Sequence, residues 1–329
     1  MKIAVIGATG MIGHHAAKAV VDEGHELTII HRKSSNLDHV SDLTFRSAIA
    51  DLNDLPSLSK ALSDVDAVIN CAGYYPTLPR PWQDEVETAT ALMANFYAAC
   101  KQVKLHKIVY LGAAIALQKH PKGEPADAEM EYPSCPKNKN PYLQVKWALD
   151  TLAKEMARQD LPVVIGIPSM TFGEYDFGPT TGQLLTGIAN ETLPGFVKGN
   201  RNVIYAGDAG RALVLACEKG QVGERYLFTG SNISMHELAA KISTASEVPL
   251  PKTIPLLVAT FVSKLQAVKY RLFGGDAPKI SSTAIAVMSA GQFLNGDKAE
   301  KELGFKAEVS LDEGLERTLS WFKKMNYID

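Results

Sequence analysis

The sequence predicts an α/β fold in which helices cover both faces of a parallel β-sheet, the doubly wound arrangement. The first observation is an apolar strand at Lys2–Ile6, followed by a glycine-rich turn and a helix over 14–23. The second is that further apolar runs of strand length alternate with helical segments as far as residue 230. The third is size, because 329 residues can bury a large core as one big domain or two unequal ones.

The glycine-rich turn is typical of a dinucleotide-binding site. It reads Gly7-Ala8-Thr9-Gly10-Met11-Ile12-Gly13. Gly7 allows the tight turn, Gly10 lets the backbone approach a pyrophosphate, and Gly13 lets the helix pack closely on the strand. The free N–H groups of the helix then point at the anion. Because a strand precedes the turn and a helix follows it, we expect a nicotinamide dinucleotide to bind here.

Composition excludes several other classes of protein. Hydrophobic content of 46% and charged content of 21% are ordinary for a soluble globular enzyme, and the net charge of -2 gives no electrostatic case for nucleic acid. Cys71, Cys100, Cys135 and Cys217 are widely spaced, which argues against a metal site and a disulfide scaffold. With no signal peptide and no apolar stretch long enough to span a bilayer, we expect a cytoplasmic protein without stable membrane insertion.

The residues after the second strand favour NADP over NAD. That strand covers residues 27–30, and His31, Arg32 and Lys33 follow it. An acidic residue there would bind the ribose 2′-hydroxyl and repel a 2′-phosphate, whereas Arg32 can bind a phosphate through two parallel hydrogen bonds. A solvated basic loop remains the alternative.

The glycine spacing and three later blocks carry a resemblance to a known family. The blocks are residues 202–208, 223–230 and 297–305. Together they resemble the extended short-chain dehydrogenase/reductase superfamily, in its dihydroflavonol-4-reductase-like group, also described as the NAD-dependent epimerase/dehydratase family. That group includes bacterial proteins labelled nucleoside-diphosphate-sugar epimerases. The resemblance extends from residue 1 to residue 327, is weakest over 248–290, and implies a Rossmann sheet with a smaller C-terminal substrate lobe.

The resemblance also implies further cofactor contacts. In the family, the segments matching Asp51-Leu52 lie against the adenine, those matching Cys71-Ala72-Gly73 let the cofactor lie on the strand ends, and the proline matching Pro168 lies beside the nicotinamide. Asn53 or Asp54 competes for a simpler role, since either could cap the following helix.

A Tyr-x-x-x-Lys pair at Tyr142 and Lys146 matches the family's catalytic pair. Tyr97 and Lys101 have the same spacing, but they lie on the helix before the fifth strand, whereas Tyr142 begins the helix after it. One helical turn places Tyr142 and Lys146 on the same face. The resemblance implies that Tyr142 exchanges the hydroxyl proton, while Lys146 binds the nicotinamide ribose and lowers the tyrosine pKa towards neutral.

The sequence departs from the family where the fifth strand ends. The family has a serine or threonine there, and this chain has Ala113 and Ala114. Four hydroxyls are candidate substitutes, those of Tyr74, Tyr75, Ser169 and Thr171.

The chain divides into two predicted parts. Residues 1–168 form the dinucleotide-binding domain and 169–329 mainly the substrate lobe, with segments near 202–228 returning to the Rossmann sheet. An apolar stripe over 254–270, with Lys264, Lys269 and Arg271 alongside, predicts either a packed helix or an interfacial helix that receives a lipid-like substrate.

The predicted function is NADP-dependent carbonyl reduction or alcohol oxidation of a small molecule, with hydride supplied by the cofactor. A nucleotide-sugar epimerase or dehydratase is the alternative on the same fold. A redox sensor that binds NADP without turnover is the other alternative, which the missing hydroxyl would permit. The resemblance further implies a homodimer formed through the helices at 83–100 and 141–158.

Overall fold

The computed structural model describes residues 1–76, 80–179, 181–274 and 290–329, without the side chains of residues 267, 271 and 273. The side chain of Arg271 therefore lies outside the described part. The strands are β1 Lys2–Ile6, β2 Glu26–His31, β3 Arg46–Ile49, β4 Ala67–Asn70, β5 Lys107–Leu111, β6 Val163–Pro168, β7 Met170–Phe172, β8 Asn200–Tyr205, β9 Arg225–Phe228 and β10 Ser231–Ser234. The α-helices are α1 Met11–Asp22, α2 Leu55–Leu62, α3 Trp82–Val103, α4 Pro141–Arg158, α5 Gln183–Ala189, α6 Ala206–Lys219, α7 Met235–Ala245, α8 Leu256–Phe273, α9 Asp297–Leu303 and α10 Leu311–Lys324.

The main sheet confirms the predicted doubly wound fold. Its seven strands have the order β3-β2-β1-β4-β5-β6-β9, and every neighbouring pair is parallel. From β1 the chain adds β2 and β3 on one side, then crosses over to add β4 and the rest on the other. The strand order therefore reverses between β1 and β4, where open sheets of this kind bind ligands outside the carboxyl ends of the strands.

Alternating side chains of the strands build two cores, one on each face of the sheet. On β5, Ile108 and Tyr110 point into the core beneath α2, α3 and α4, while Val109 points into the core beneath α1, α6 and α9. This period of two is what a strand buried on both faces requires. Helices α3 and α4 lie side by side on one face, and assembly of the chain through them stays a prediction.

A smaller three-stranded sheet, with order β10-β8-β7, forms the core of a second lobe together with α5, α7 and α10. The strand at Asn200–Tyr205 belongs to this small sheet. The expectation that the segment from residue 202 onwards returns to the Rossmann sheet is therefore wrong for this strand: the return is made by α6 and β9. The division of the whole chain at residue 168 stays a prediction.

Helix α8 is packed through one side only. Ala259 and Ser263 are buried, whereas Leu257, Phe261 and Leu265 are exposed. The sequence-based alternatives of a packed helix and an interfacial helix therefore both stay predictions: one side of α8 is packed, and its apolar stripe is exposed. No helix within the described residues has the length and apolar character needed to cross a membrane.

A buried ion pair joins α4 to β9. The Arg225 guanidinium donates from Nη2 to Asp150 Oδ2 at 2.6 Å and from Nε to Asp150 Oδ1 at 3.1 Å, and both residues are nearly inaccessible. Arg225 Nη1 also donates to the carbonyl oxygen of Ala128 at 3.2 Å. The pair therefore fixes α4, the edge strand and the loop before α4 relative to one another.

Two buried histidines of α1 face the segment after β7. His14 stacks on the ring of Tyr175 at 3.5 Å, and its Nε2 lies 2.9 Å from Asp42 Oδ1. His15 lies with its Nε2 3.7 Å from Glu174 Oε2. Burial, and secondarily the charge of His14, lowers the pKa of His15 to about 3.

We predict that this burial makes the protein sensitive to acid. Below its ordinary pKa of 6.5, His15 takes up a proton in the unfolded chain, but in the folded chain it stays neutral down to about 3. The free energy of unfolding should therefore be highest above pH 6.5 and fall by about 1.4 kcal/mol per pH unit through this histidine as pH drops towards 3. Urea denaturation at several pH values measures this slope.

The variant His15→Gln should lose that share of the slope. His106 is exposed, so His106→Gln is the matched control and should leave the slope unchanged. Equal slopes for the wild type and His15→Gln would contradict the assignment.

Candidate functional site

The glycine-rich turn is held against the end of β4 by close backbone contacts. Gly7 has φ +85°, in the left-handed region, and a Cβ there would lie 2.8 Å from the backbone nitrogen of Ala72 and 2.9 Å from the carbonyl carbon of Cys71. A Cβ on Gly13 would lie 2.1 Å from the carbonyl oxygen of Gly7. Only glycine fits at these two positions. A Cβ on Gly10 would meet only the Gly7 oxygen, at 3.6 Å, so the outer side of the turn is open.

Helix α1 begins within the turn, three residues earlier than the sequence predicts. Gly10 is the extended N-cap residue, and the first intrahelical bond runs from the His14 N–H to the Gly10 oxygen at 2.8 Å. Met11, Ile12 and Gly13 therefore form the first turn, whose N–H groups have no intrahelical partner. The first turn has neither a side-chain cap nor an acidic residue. This arrangement fits the pyrophosphate of a dinucleotide.

The end of β2 presents two unpaired cations. His31 donates from Nδ1 to the carbonyl oxygen of Arg32 at 2.9 Å, so Nε2 accepts from the hydroxyl of Ser47 at 2.7 Å. Arg32 and Lys33 are exposed, and neither has an ion-pair partner within the described residues. A phosphate group can reach both cations here.

Asp51 and Leu52 follow β3, and Asp54 performs the capping role. The Asp54 carboxylate accepts from the N–H of Ser57 at 3.3 Å and begins α2. The Asp51 carboxylate instead accepts from the N–H of Asn53 at 2.9 Å. Leu52 packs against the core, so both predicted adenine contacts are held in fixed positions at the carboxyl end of β3.

The predicted catalytic pair lies beside the end of β4. Lys146 Nζ is 3.1 Å from where a Cβ on Gly73 would lie and 5.7 Å from the centre of the Tyr142 ring. The rings of Tyr75 and Tyr142 are 4.9 Å apart. The Asn140 side chain accepts from the Tyr142 N–H at 2.9 Å and so fixes the first turn of α4. The structure thus brings together residues from β4, its following loop and α4.

Burial sets the protonation of this pair. It raises the pKa of Tyr142 well above its ordinary value, with Tyr75 as the second cause. It also lowers the pKa of Lys146 to about 8. The expectation that Lys146 brings the Tyr142 pKa towards neutral does not hold in this structure, where burial raises the pKa of Tyr142 instead.

The hydroxyl that the family would supply is absent at the end of β5, where Ala113 and Ala114 lie half-buried. Two of the four candidate substitutes are already engaged. Tyr74 donates to the buried carboxylate of Glu85, and Thr171 donates to the carbonyl oxygen of Ser169 at 2.8 Å.

Of the other two candidates, Tyr75 packs against the Tyr142 ring, and Ser169 has a buried hydroxyl. Ser169 is 7% exposed, and its Oγ has no hydrogen-bond partner within the described part of the chain. Ser169 directly follows Pro168, the buried last residue of β6. A buried orphan hydroxyl costs free energy, so its retention at a ligand-binding edge favours a role towards a ligand.

Sequence reasoning missed two interacting cations, Arg201 of the second lobe and Lys119 of the segment before α4. Arg201 is buried on β8, where Nη1 donates to the carbonyl oxygen of Asn200 at 2.6 Å. Burial lowers the pKa of Arg201 to about 10, and burial followed by the Arg201 charge lowers the pKa of Lys119. The signal that could have identified Arg201 is an arginine at the start of a strand whose later residues, Val203 and Ile204, are apolar. Among the described residues, no group of three or more His, Cys, Asp or Glu could bind a metal ion.

Comparisons with known proteins agree on one family. A model described as the NAD dependent epimerase/dehydratase family matches residues 3–228. A solved structure described as a nucleoside-diphosphate-sugar epimerase from Pseudomonas aeruginosa is 40% identical and covers 100% of this chain and 99% of its own, with a TM-score of 0.88.

Two curated proteins are similar over nearly their whole length. One, from Synechocystis sp., has dihydroflavonol 4-reductase as its assigned name and is 25% identical over 98% of this chain and 95% of its own. Sterol demethylase protein B of Methylococcus capsulatus is 22% identical over 100% of each chain.

We predict that Gly73→Ala weakens dinucleotide binding about tenfold, or about 1.4 kcal/mol. The added methyl group would lie 3.1 Å from Lys146 Nζ and would push the ammonium group away from its position. Fluorescence titration with NADPH measures the affinity. A Cβ on Gly178 would meet no atom within 4 Å, so Gly178→Ala is the matched control and should bind as the wild type does. Unchanged affinity in Gly73→Ala would argue against this position for the site.

Proposed function

From its membership of the NAD-dependent epimerase/dehydratase family, to which this chain belongs, we propose that the protein catalyses the NADP-dependent reduction of a carbonyl group on a small or medium organic molecule. Its relatives are reductases, dehydratases and epimerases, so it is an NAD(P)-dependent enzyme. The observation that carries the proposal is the grouping of Tyr142 and Lys146 against Gly73 at the carboxyl end of the sheet.

The cofactor residues form a continuous path along this edge. The first turn of α1 would hold the pyrophosphate, and Lys146 the nicotinamide ribose. Arg32 and Lys33 would hold the 2′-phosphate. The remaining contacts of the proposal are Thr9, His31, Asp51, Leu52, Cys71, Ala72 and Pro168. Bound there, the cofactor supplies the hydride.

Tyr142 would donate the proton that completes the reduction. Because its pKa is raised, its hydroxyl is protonated at neutral pH and can donate to the carbonyl oxygen as negative charge develops there. A protonated Lys146 beside it stabilises the phenolate that remains. This state of the pair favours reduction over alcohol oxidation as the working direction.

Ser169 would donate the second hydrogen bond to the same oxygen. In the family, a serine or threonine makes this hydrogen bond. Loss of such a donor lowers the reaction rate about 10² to 10³-fold, because the donor stabilises the developing negative charge. Ala113 and Ala114 cannot fill it. The buried, unpartnered hydroxyl of Ser169 supports this assignment.

A nucleotide-sugar epimerase or dehydratase is the second candidate. The description of the 40% identical Pseudomonas aeruginosa structure supports it, as does the cationic pair of Arg201 and Lys119, whose charge suits a diphosphate. The two functions differ in stoichiometry, because an epimerase returns the hydride within one turnover. Consumption of one NADPH per product molecule supports the reductase, and turnover without net consumption supports the epimerase.

We predict that NADPH binds at least tenfold tighter than NADH, a difference of about 1.4 kcal/mol. The reason is that Arg32 and Lys33, after β2, are exposed and have no ion-pair partner among the described residues. Arg32→Ala should remove most of the preference and leave NADH affinity nearly unchanged. Fluorescence titration measures both affinities, and equal affinity of the wild type for the two cofactors would contradict the proposal.

We predict that Ser169→Ala lowers turnover about 10² to 10³-fold while NADPH affinity is retained. Ala113→Ser in that background should restore part of the rate, because it returns a hydroxyl to the family's position. Ala114→Ser is tested in the same background and for the same effect. Ser243 also has a buried hydroxyl without a partner in the described residues, so Ser243→Ala is the matched control and should keep full turnover.

Two outcomes would overturn the assignment of Ser169. Full turnover in Ser169→Ala would show that another group serves as donor. A protein that binds NADPH tightly but turns over no carbonyl substrate, with or without the added serines, would favour a redox sensor instead.

A further inference from the structure

Helix α8 displays a continuous apolar stripe on its outer side. Leu257 is 84% exposed, Phe261 63%, Leu265 54%, Val268 54% and Leu272 70%. Their spacing of four, four, three and four residues places all five side chains within an arc of about 80° around the helix. Exposed large apolar side chains grouped in this way mark an interaction surface.

The stripe lies on the side of α8 that faces away from the described part of the second lobe. Ala259 and Ser263 are buried, and they lie on the opposite side of the helix. The segment leading into α8 is anchored, because the Ile254 N–H donates to the Phe196 oxygen at 2.8 Å. The helix is therefore attached to the second lobe by one side and presents the stripe on the other.

Positive charge borders the stripe. Lys264 and Lys269 are exposed, and helical geometry places them on opposite edges of the apolar arc. Residues 248–275 contain four lysines and arginines and no aspartate or glutamate, in a chain whose net charge is -2. Two exposed lysines thus flank the apolar face, in a stretch of the chain that has no acidic residue.

We propose that α8 docks the protein on an anionic lipid bilayer. The helix would lie in the plane of the surface, with the stripe entering the boundary between headgroups and acyl chains and the lysines beside the lipid phosphates. A second copy of the chain is a poorer occupant, because packing α8 against α8 would bring basic edges together without acidic partners. The proposal goes beyond the proposed function and does not depend on it.

Vesicle co-sedimentation of the full chain tests the proposal without cofactor or substrate. We expect at least tenfold tighter binding to vesicles of equal parts phosphatidylcholine and phosphatidylglycerol than to pure phosphatidylcholine. Phe261→Gln with Leu265→Gln should weaken binding at least tenfold, because it removes the centre of the stripe. Lys264→Gln with Lys269→Gln should reduce the preference for anionic vesicles and its sensitivity to salt.

The matched control removes exposed apolar side chains elsewhere. Ile49 is 54% exposed and Val222 is 49% exposed, so Ile49→Gln with Val222→Gln changes surface apolarity equally and should leave vesicle binding unchanged. Circular dichroism verifies that each variant is folded. If the double variant of the stripe unfolds, Leu257→Gln replaces it, since that side chain is the most exposed of the stripe.

Three results would overturn the proposal. The first is a wild-type protein that stays in the supernatant with both kinds of vesicle. The second is that the wild type does not bind vesicles but self-associates in analytical ultracentrifugation, and that the stripe variant loses this self-association. That result would assign the stripe to an interface between copies of the chain. Vesicle binding that survives the stripe variant would equally contradict it.

Discussion

The arrangement of the candidate site depends on the buried ion pair between Arg225 and Asp150. A carboxylate removed from water is costly unless a cation is close to it, and here the guanidinium makes three hydrogen bonds to it. Asp150 lies one helical turn after Lys146, so both side chains leave α4 on the same face. A rotation of α4 that displaced Lys146 would separate Asp150 from its partner. The ion pair therefore holds the predicted catalytic helix in register with the sheet.

A series of close contacts extends from the turn at Gly7 to the tyrosine pair. Gly7 packs on Cys71 and Ala72, and Gly73 comes next in the chain and leaves room for the ammonium group of Lys146. A Cβ at Gly7 would clash with the backbone of Cys71 and Ala72, and a Cβ at Gly73 would displace the ammonium group. The glycines thus set the separation between the phosphate-binding turn and α4, independently of which substrate the second lobe accepts.

The strands and helices that depend on short-range sequence patterns were predictable from the sequence. The apolar run over 107–111 predicts a strand with the bounds that β5 has, and α4 begins at Pro141 because proline suits the first helical position. The sequence predicts the third strand over 43–50, but β3 covers only Arg46–Ile49, since it lies at the edge of the sheet, where exposed residues such as Ile49 give no clear pattern. The membership of β8 in a separate sheet depends on pairing between distant segments, which periodicity does not encode.

The properties of the site were predictable only as far as residue identity determines them. The sequence identified Tyr142 and Lys146, but the direction of the Tyr142 pKa depends on how completely other segments bury the phenol. It named Ser169 and Thr171 together as hydroxyl donors. Only the three-dimensional contacts distinguish them, because the Thr171 hydroxyl already donates its hydrogen bond to the Ser169 carbonyl oxygen. Arg201 was missed because a single charged residue is most often solvated.

The connection between β6 and β7, which joins the two sheets, affects how wide a range of substrates the proposed site could accept. Ser169 is the single residue between β6 and β7; its N–H donates to the Phe228 oxygen at 3.0 Å and its carbonyl accepts from Thr171. The Ser169 backbone is therefore held by a hydrogen bond at its N–H and another at its carbonyl oxygen. The Ser169 hydroxyl, which has no hydrogen-bond partner among the described residues, can occupy any staggered rotamer that its surroundings allow. As the proposed donor, the Ser169 hydroxyl could rotate about its fixed backbone and follow a carbonyl oxygen over a small arc. Such a site accommodates a group of related molecules more readily than it enforces the choice of one.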